Sequence, residues 1–151
     1  MLVRKAEKDE WEEAMALAWR VFQKFDAKDY TEEGIESFLN FISDNGLYKM
    51  FLSNEYKLFV AESGGKIVGV SSLRMRNHIS LLFVEPQYHH QGIATALLKE
   101  VFKHTRTKGM FKMTVNSSPY AVQFYHKLGF VNTDHEICAD GIRYTPMEIT
   151  I

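Results

Sequence analysis

A glycine stands where a buried strand gives way to an amphipathic helix. Ile79 to Val84 is an apolar run without alternation, ended by Pro86, which predicts an interior strand covered on both faces. From Ile93 the apolar positions Ile93, Ala94, Leu97, Leu98, Val101 and Phe102 recur at helical spacing and Gly109 follows as a stop, so the helix begins near Gly92. The first amides of such a helix, around Gln91 to Thr95, lack internal partners and lie at the positive end of its dipole. The turn is therefore an anion site in outline. Gly92 and Ala94 would let a diphosphate come close to the backbone, where larger side chains would obstruct it. Taken alone the pattern is weak, and a glycine that merely tightens a strand-to-helix turn explains it better. No GxGxxG and no Gly-Lys-Ser/Thr is present, which argues against the dinucleotide fold and the P-loop.

Other reactive side chains are less eloquent. Six histidines, His78, His89, His90, His104, His126 and His135, make no metal-binding spacing such as HExxH, and no metal is expected. Cys138, with His135 and Asp140 nearby, invites a nucleophile-and-base reading. On one strand, however, neighbours at odd spacing diverge, so Cys138 is expected to be a packing thiol. Phe124 and Tyr125 read as core aromatics of a short helix. Trp19, Phe22, Phe25 and Tyr30 with Asp26, Asp29, Glu32 and Glu33 put aromatics beside acids, a mixture suited to a cationic amine. Phe22 and Phe25 also lie on a helix stripe, so the plainer reading buries them and turns the acids to water.

The elements that must position these residues follow from periodicity and turn chemistry. Leu2 to Ala6 is a short strand. Asp9 with Glu12 offers a capping box for a helix whose stripe is Ala14, Leu17, Ala18, Val21, Phe22 and Phe25. After the loop Asp26 to Tyr30, Thr31 caps a second helix with the stripe Ile35, Phe38, Leu39 and Ile42, which Asn45-Gly46 ends. Leu47 to Tyr56 is ambiguous. Lys57 to Glu62 and Lys66 to Arg74 flank the hairpin turn Gly64-Gly65, and Asn77 turns the chain into the strand from Ile79. Met110 to Val115, after the helix, should lie parallel to that strand through a right-handed crossover. Ser118-Pro119 starts a helix that Gly129 closes. Phe130 to Ala139 and Ile142 to Ile151, turning at Asp140-Gly141, complete the sheet, and Pro146 suggests that the last strand lies at or near an edge. The fold class is α/β with a mixed, mostly antiparallel sheet.

A chain of 151 residues with 46% hydrophobic and 13% aromatic content fits one packed domain spanning 1–151. A net charge of -1 gives no electrostatic case for nucleic acid. A single cysteine excludes an internal disulfide, the N-terminus has no signal-like apolar core, and no apolar run is long enough to span a membrane. We expect a cytoplasmic protein without membrane partners. Self-association into a homodimer stays open.

The segments VEPQYHHQGIATALL, Val84 to Leu98, and NSSPYAVQFYHKLGF, Asn116 to Phe130, resemble the two signatures of the GNAT superfamily of N-acetyltransferases. The order of elements extends the resemblance over nearly the whole chain. It implies a GNAT-like sheet flanked by helices, with two splayed parallel strands between which acetyl-CoA, the expected co-substrate, lies like an added strand. By resemblance, amides near Leu82, Phe83 and Val84 face the thioester and supply an oxyanion donor. His90, Gln91, Gly92, Ile93, Ala94 and Thr95 form the diphosphate turn, and Asn116 and Ser118 contact the pantetheine or diphosphate. Ser118 as a mere helix cap is the plain alternative. His89 departs from the family's Arg or Gln, which puts one side-chain contact in doubt and leaves the backbone cradle intact. Lys99, Lys103, Arg106 and Lys108 could attract the nucleotide's 3'-phosphate, although cations near a helix C-terminus explain them better. Tyr125 matches the family's tyrosine, protonated at pH 7 and able to donate to the leaving thiolate. Glu85 could serve as a base or be a solvated turn residue, and the base stays unassigned.

The expected activity is direct transfer of the acetyl group of acetyl-CoA to a primary amine of a small molecule or peptide, without a covalent enzyme intermediate. A non-catalytic acyl-CoA-binding module is the alternative, and an α/β interaction domain that binds no nucleotide is a third.

Overall fold

The computed structural model describes all 151 residues. The chain opens with β1 (Leu2–Lys5), and a 3-10 turn leads into α1 (Trp11–Val21). The capping box at this entry is Glu7 with Glu10 instead of Asp9 with Glu12, because Glu10 also receives Arg4 at 2.8 Å and is held there. α2 (Glu32–Ile42) is capped as expected, by Thr31 Oγ1 accepting from Gly34 N at 3.3 Å. Asn45-Gly46 does not end it. Both residues open α3 (Asn45–Leu52), which resolves the ambiguous stretch: Asp44 accepts from Leu47 N at 2.9 Å, and Gly46 has no left-handed backbone to stop a helix.

β2 (Lys57–Ser63), β3 (Lys66–Arg74) and β4 (His78–Val84) form the expected antiparallel meander. α4 (Ile93–Thr107) crosses to β5 (Lys112–Ser117), parallel to β4. α5 (Val122–Leu128) follows a 3-10 turn at Pro119–Ala121, and Gly129 closes it at φ 107°. The stretch expected as one strand from Phe130 splits into β6 (Val131–Asn132) and β7 (Ile137–Ala139), both paired to β8 (Ile142–Thr150). The sheet order is β1-β2-β3-β4-β5-β8-β6, so β8 lies near the edge, as expected from Pro146, with only the short β6 and β7 beyond it. Pro146 is tolerated because it falls in the gap between β8's two short partners, where its carbonyl accepts from Thr133 N at 2.9 Å.

Two apolar cores cover the two faces of this sheet. On one, Trp11, Leu17, Ala18, Val21 and Phe22 pack with Ile42, Phe51, Val60, Val70, Leu81 and Phe83. On the other, Ile93, Leu97, Leu98 and Val101 of α4 pack with Phe59, Ala61, Val68, Met113, Tyr125 and Phe130. Burial along β4 alternates more than an interior strand would require: Ile79, Leu81 and Phe83 are buried, whereas Ser80 and Leu82 are half-buried. The reason lies in its pairing. β4 meets β5 only at His78↔Thr114 and Ile79↔Val115, and from Ser80 onward it has no partner on that side. The parallel strands diverge there.

Candidate active site

The divergence of β4 from β5 opens toward the start of α4. Gly92 caps that helix in the left-handed region at φ 78°, with no side chain bonding the first-turn amides. A Cβ built there meets no atom within 4 Å. The helix start thus faces open space. That space is a cavity of about 600 Å³ lined by Leu82, Phe83 and Val84 on one wall and by His90, Gly92, Ile93, Ala94 and Thr95 on another. Ser118, Tyr120, Ala121 and Phe124 close it from the segment after β5, and Val21, Asp26, Tyr88 and His89 complete it. A thioester-bearing nucleotide fits these walls: unpartnered amides at the helix start suit phosphate, and the apolar cleft suits a pantetheine arm.

Two expected contacts lie elsewhere. Gln91 does not line this cavity, and its side-chain amide donates back to Gln87 O at 3.3 Å. Asn116 also stays outside it and lines two further cavities. Its backbone still belongs to β5, where it pairs with Pro146, whereas Ser118 lies just beyond the strand's end. His89 folds back, its Nε2 donating to Val84 O at 2.7 Å with the ring against Phe25.

A second cavity, about 130 Å³, sits in the divergence itself. It shares Asp26, Leu82, Phe83, Ser118 and Ala121 with the first, and adds Tyr125. Tyr125 is buried, its hydroxyl has no hydrogen-bond partner, and no polar side-chain atom of the chain is both sealed and unpaired. The hydroxyl therefore opens on this space. Burial first, and the Asp26 charge second, hold its proton well above the usual tyrosine range. A third cavity, about 340 Å³, shares Tyr30, Phe38, Ile79, Ser80 and Asn116 with the second and opens on the far side of the sheet.

Asp26, one of the acids that the sequence sets beside aromatics, is the residue whose burial sequence reasoning missed. It is 8% exposed, not turned to water, and burial first with Asp29 second raises its pKa to about 7. The cause is a π-helical turn, Phe22–Asp26, in which Ala27 N bonds Phe22 O. Such a turn takes roughly one residue more than an α-turn, so the inward position after Phe22 moves from Phe25 to Asp26. Phe25 is accordingly only half-buried. A helical stripe drawn at constant period cannot reveal this.

Glu85 behaves differently from both roles considered for it. It is 7% exposed, ion-paired with Arg20, and lines none of the three cavities. It fastens α1 to the turn before α4. Cys138 is exposed and not packed, and His135 lies outside β7 beside Asp134.

Residues 26–151 match the family model described as an acetyltransferase (GNAT) domain. The chain belongs to the GNAT family. The glucosamine 6-phosphate N-acetyltransferase of Trypanosoma brucei brucei is 33% identical over 84 residues, 49% of this GNAT chain and 57% of that enzyme. The chain thus spans little more than half of that relative. A GCN5-related N-acetyltransferase from Rhodopseudomonas palustris superposes with a TM-score of 0.85 at 25% identity, covering 99% of this chain and 95% of that one. The PaiA N-acetyltransferase of Thermoplasma acidophilum, solved with coenzyme A, shares the fold with a TM-score of 0.81 at 23% identity, over 99% and 98% of the chains. No helix of this GNAT chain is long and apolar enough to cross a membrane.

Proposed function

We propose that the protein is an N-acetyltransferase that moves the acetyl group of acetyl-CoA directly to a primary amine of a small molecule or peptide. One observation carries this reading. The half of β4 that loses its strand partner and the uncapped start of α4 line the same cavity. In this reading the amides of Gly92 to Thr95 hold the diphosphate, with His90 beside them. Leu82, Phe83 and Val84 flank the pantetheine, and a β4 amide donates to the oxyanion in a site sheltered from water. Ser118 lines the same wall, whereas Asn116 serves the acceptor side. Acetyl-CoA supplies the activated thioester. The amine nitrogen attacks its carbonyl carbon, the C–S bond breaks, and Tyr125 gives its proton to the departing sulfur. The acceptor enters through the cavity on the far side of the divergence, since the first cavity is taken by the nucleotide.

Melting in the presence of acetyl-CoA, CoA or ATP tests the first half. A ligand that binds only the folded state adds about 2.7 kcal/mol at a hundredfold excess over its dissociation constant. A rise with acetyl-CoA and CoA is expected, and no rise, or an equal rise with ATP, overturns the assignment. Gly92→Glu should abolish the rise, because the side chain would fill the open space at the helix start with a like charge. Acetyl-CoA-dependent thiol release over a panel of amines tests the second half, and binding without turnover would leave an acyl-CoA-binding module.

A further inference from the structure

An amine reaches this site mostly as its ammonium, and something must remove the proton before nitrogen can attack. The chain holds one carboxylate where that would happen. Asp26 lines both the first cavity and the cavity that contains Tyr125. No amide, hydroxyl or cation bonds it, and since no polar side-chain atom is both sealed and unpaired, its oxygens open on those cavities. A nearly buried carboxylate without a partner is costly to keep, so its position calls for a use.

We propose that Asp26 is the general base of the transfer, taking the proton of the acceptor's ammonium; the proposal rests on the transferase reading above. The proton passes from R–NH3+ to the Asp26 carboxylate, leaving R–NH2. Nitrogen then forms the C–N bond, the C–S bond breaks, and sulfur takes the Tyr125 proton. The nitrogen gives its surplus proton to the Tyr125 phenolate, and Asp26 releases its own to water. The sum is R–NH3+ and thioester going to amide, thiol and one proton.

The surroundings suit this order of events. Asp29 and Tyr30 stand beside Asp26 on its own stretch, Tyr120 and Tyr125 face it from the segment after β5, and His89 and His90 line the first cavity with it. Asp29 is itself ion-paired with Arg143 at 3.6 Å. With its pKa raised to about 7, Asp26 is a base roughly a thousandfold stronger than an ordinary aspartate and is still half ionised at neutral pH. Its charge also strengthens the hold of Tyr125 on its proton. Once Asp26 has taken the ammonium's proton that hold weakens, so loading the base readies the acid.

The test measures kcat/KM against pH for the wild type and Asp26→Asn, with a primary alkylamine and with hydroxylamine, which is already neutral at pH 7. For the wild type and the alkylamine, activity should rise with pH through a limb near 7. Asp26→Asn should lose that limb and fall by roughly 10²–10⁴ with the alkylamine, but by under about tenfold with hydroxylamine. Its stabilisation by acetyl-CoA should be unchanged. A wild-type profile without the limb, or equal losses with both acceptors, overturns the role of Asp26. A wild type that binds acetyl-CoA and acetylates no amine overturns the transferase reading itself.

A separate observation concerns the outer cavity. Arg74 is the only formally charged residue in its wall, and its guanidinium makes no ion pair or hydrogen bond within the chain. His78, opposite Arg74 in the β3–β4 pair, bonds Thr114 Oγ1 at 2.8 Å, and burial first and Arg74 second lower its pKa, so it stays neutral at pH 7. The remaining polar wall is Tyr30, Ser37, Ser80, Asn116 and Tyr144. We infer that the acceptor carries an anionic group, carboxylate or phosphate, which meets Arg74 while its amine reaches toward Asp26; this too rests on the transferase reading. An ω-amino carboxylate, the aminoalkyl phosphate of equal length and the corresponding neutral amide give the comparison. Both anions should exceed the amide in kcat/KM by about tenfold or more, and Arg74→Glu should reverse the order. The better anion identifies the group. Equal values for all three, or a preference that survives Arg74→Glu with acetyl-CoA binding intact, overturns the inference.

Discussion

Tyr125 and Asp26 line one small cavity, and each has its proton equilibrium displaced first by burial, then by a neighbouring carboxylate: Asp29 for Asp26, and Asp26 for Tyr125. Tyr125→Phe keeps the ring against Phe124 and Phe130 and removes only the hydroxyl. We expect kcat to fall by roughly 10²–10⁴, with little change in acetyl-CoA affinity, because the hydroxyl acts on charge that develops at sulfur. Unaltered turnover on a verified acceptor would remove it from the mechanism. Asp26 also predicts a stability effect. Its folded pKa lies above the unfolded value, so between about pH 4 and 7 the folded state holds the extra proton. Stability therefore falls as pH rises through that window, and the full cost, on the order of 4 kcal/mol, is present above pH 7. Asp26→Asn should melt several degrees higher than wild type at pH 8, and the gap should close toward pH 4 in paired melting curves. Gly92 was readable at this scale because a helix start needs a residue at positive φ only where the chain turns sharply. The burial of Asp26 was not, since an acid after a helix looks like any solvated acid.

Among the elements, the cavity walls depend on how the β7–β8 hairpin meets α2. Gly141, at φ 79°, sits against the helix start: Thr31 N donates to Gly141 O at 3.0 Å, and a Cβ on Gly34 would lie 2.2 Å from that oxygen. The contact holds Ile142 and Tyr144 over the outer cavity. Gly34→Ala must push the hairpin away, so acceptor KM should rise several-fold while the acetyl-CoA melting shift stays. A variant with unchanged acceptor kinetics would show that the hairpin does not shape the site. Helices α1, α2 and α4 and the β2–β3–β4 meander were legible from caps, stripes and Gly64-Gly65. The split after Phe130 was not, because β6 has only two residues and its partner is distant in sequence.

For the whole molecule, one sheet separates two cores, and strands from both ends of the chain belong to it. A single cooperative unit over 1–151 is the proposal that follows. Circular dichroism and tryptophan fluorescence, with both tryptophans in or against one core, should give coincident unfolding transitions. Separate midpoints would divide the chain. Sequence by itself determined the helices other than α3, the meander, the Gly92 turn and the parallel crossover, because each rests on local periodicity, on turn stereochemistry or on the handedness of a connection. It also carried the family resemblance, through contiguous residues from Val84 to Leu98 and Asn116 to Phe130. Only the tertiary structure decided that Asn116 faces the outer cavity, that Glu85 is spent on Arg20, that Pro146 falls between the two short partners of β8 and that Asp26 is buried beside Tyr125. Each of these depends on where strands part or a helix changes its turn, and such events are settled by packing between segments remote in the chain.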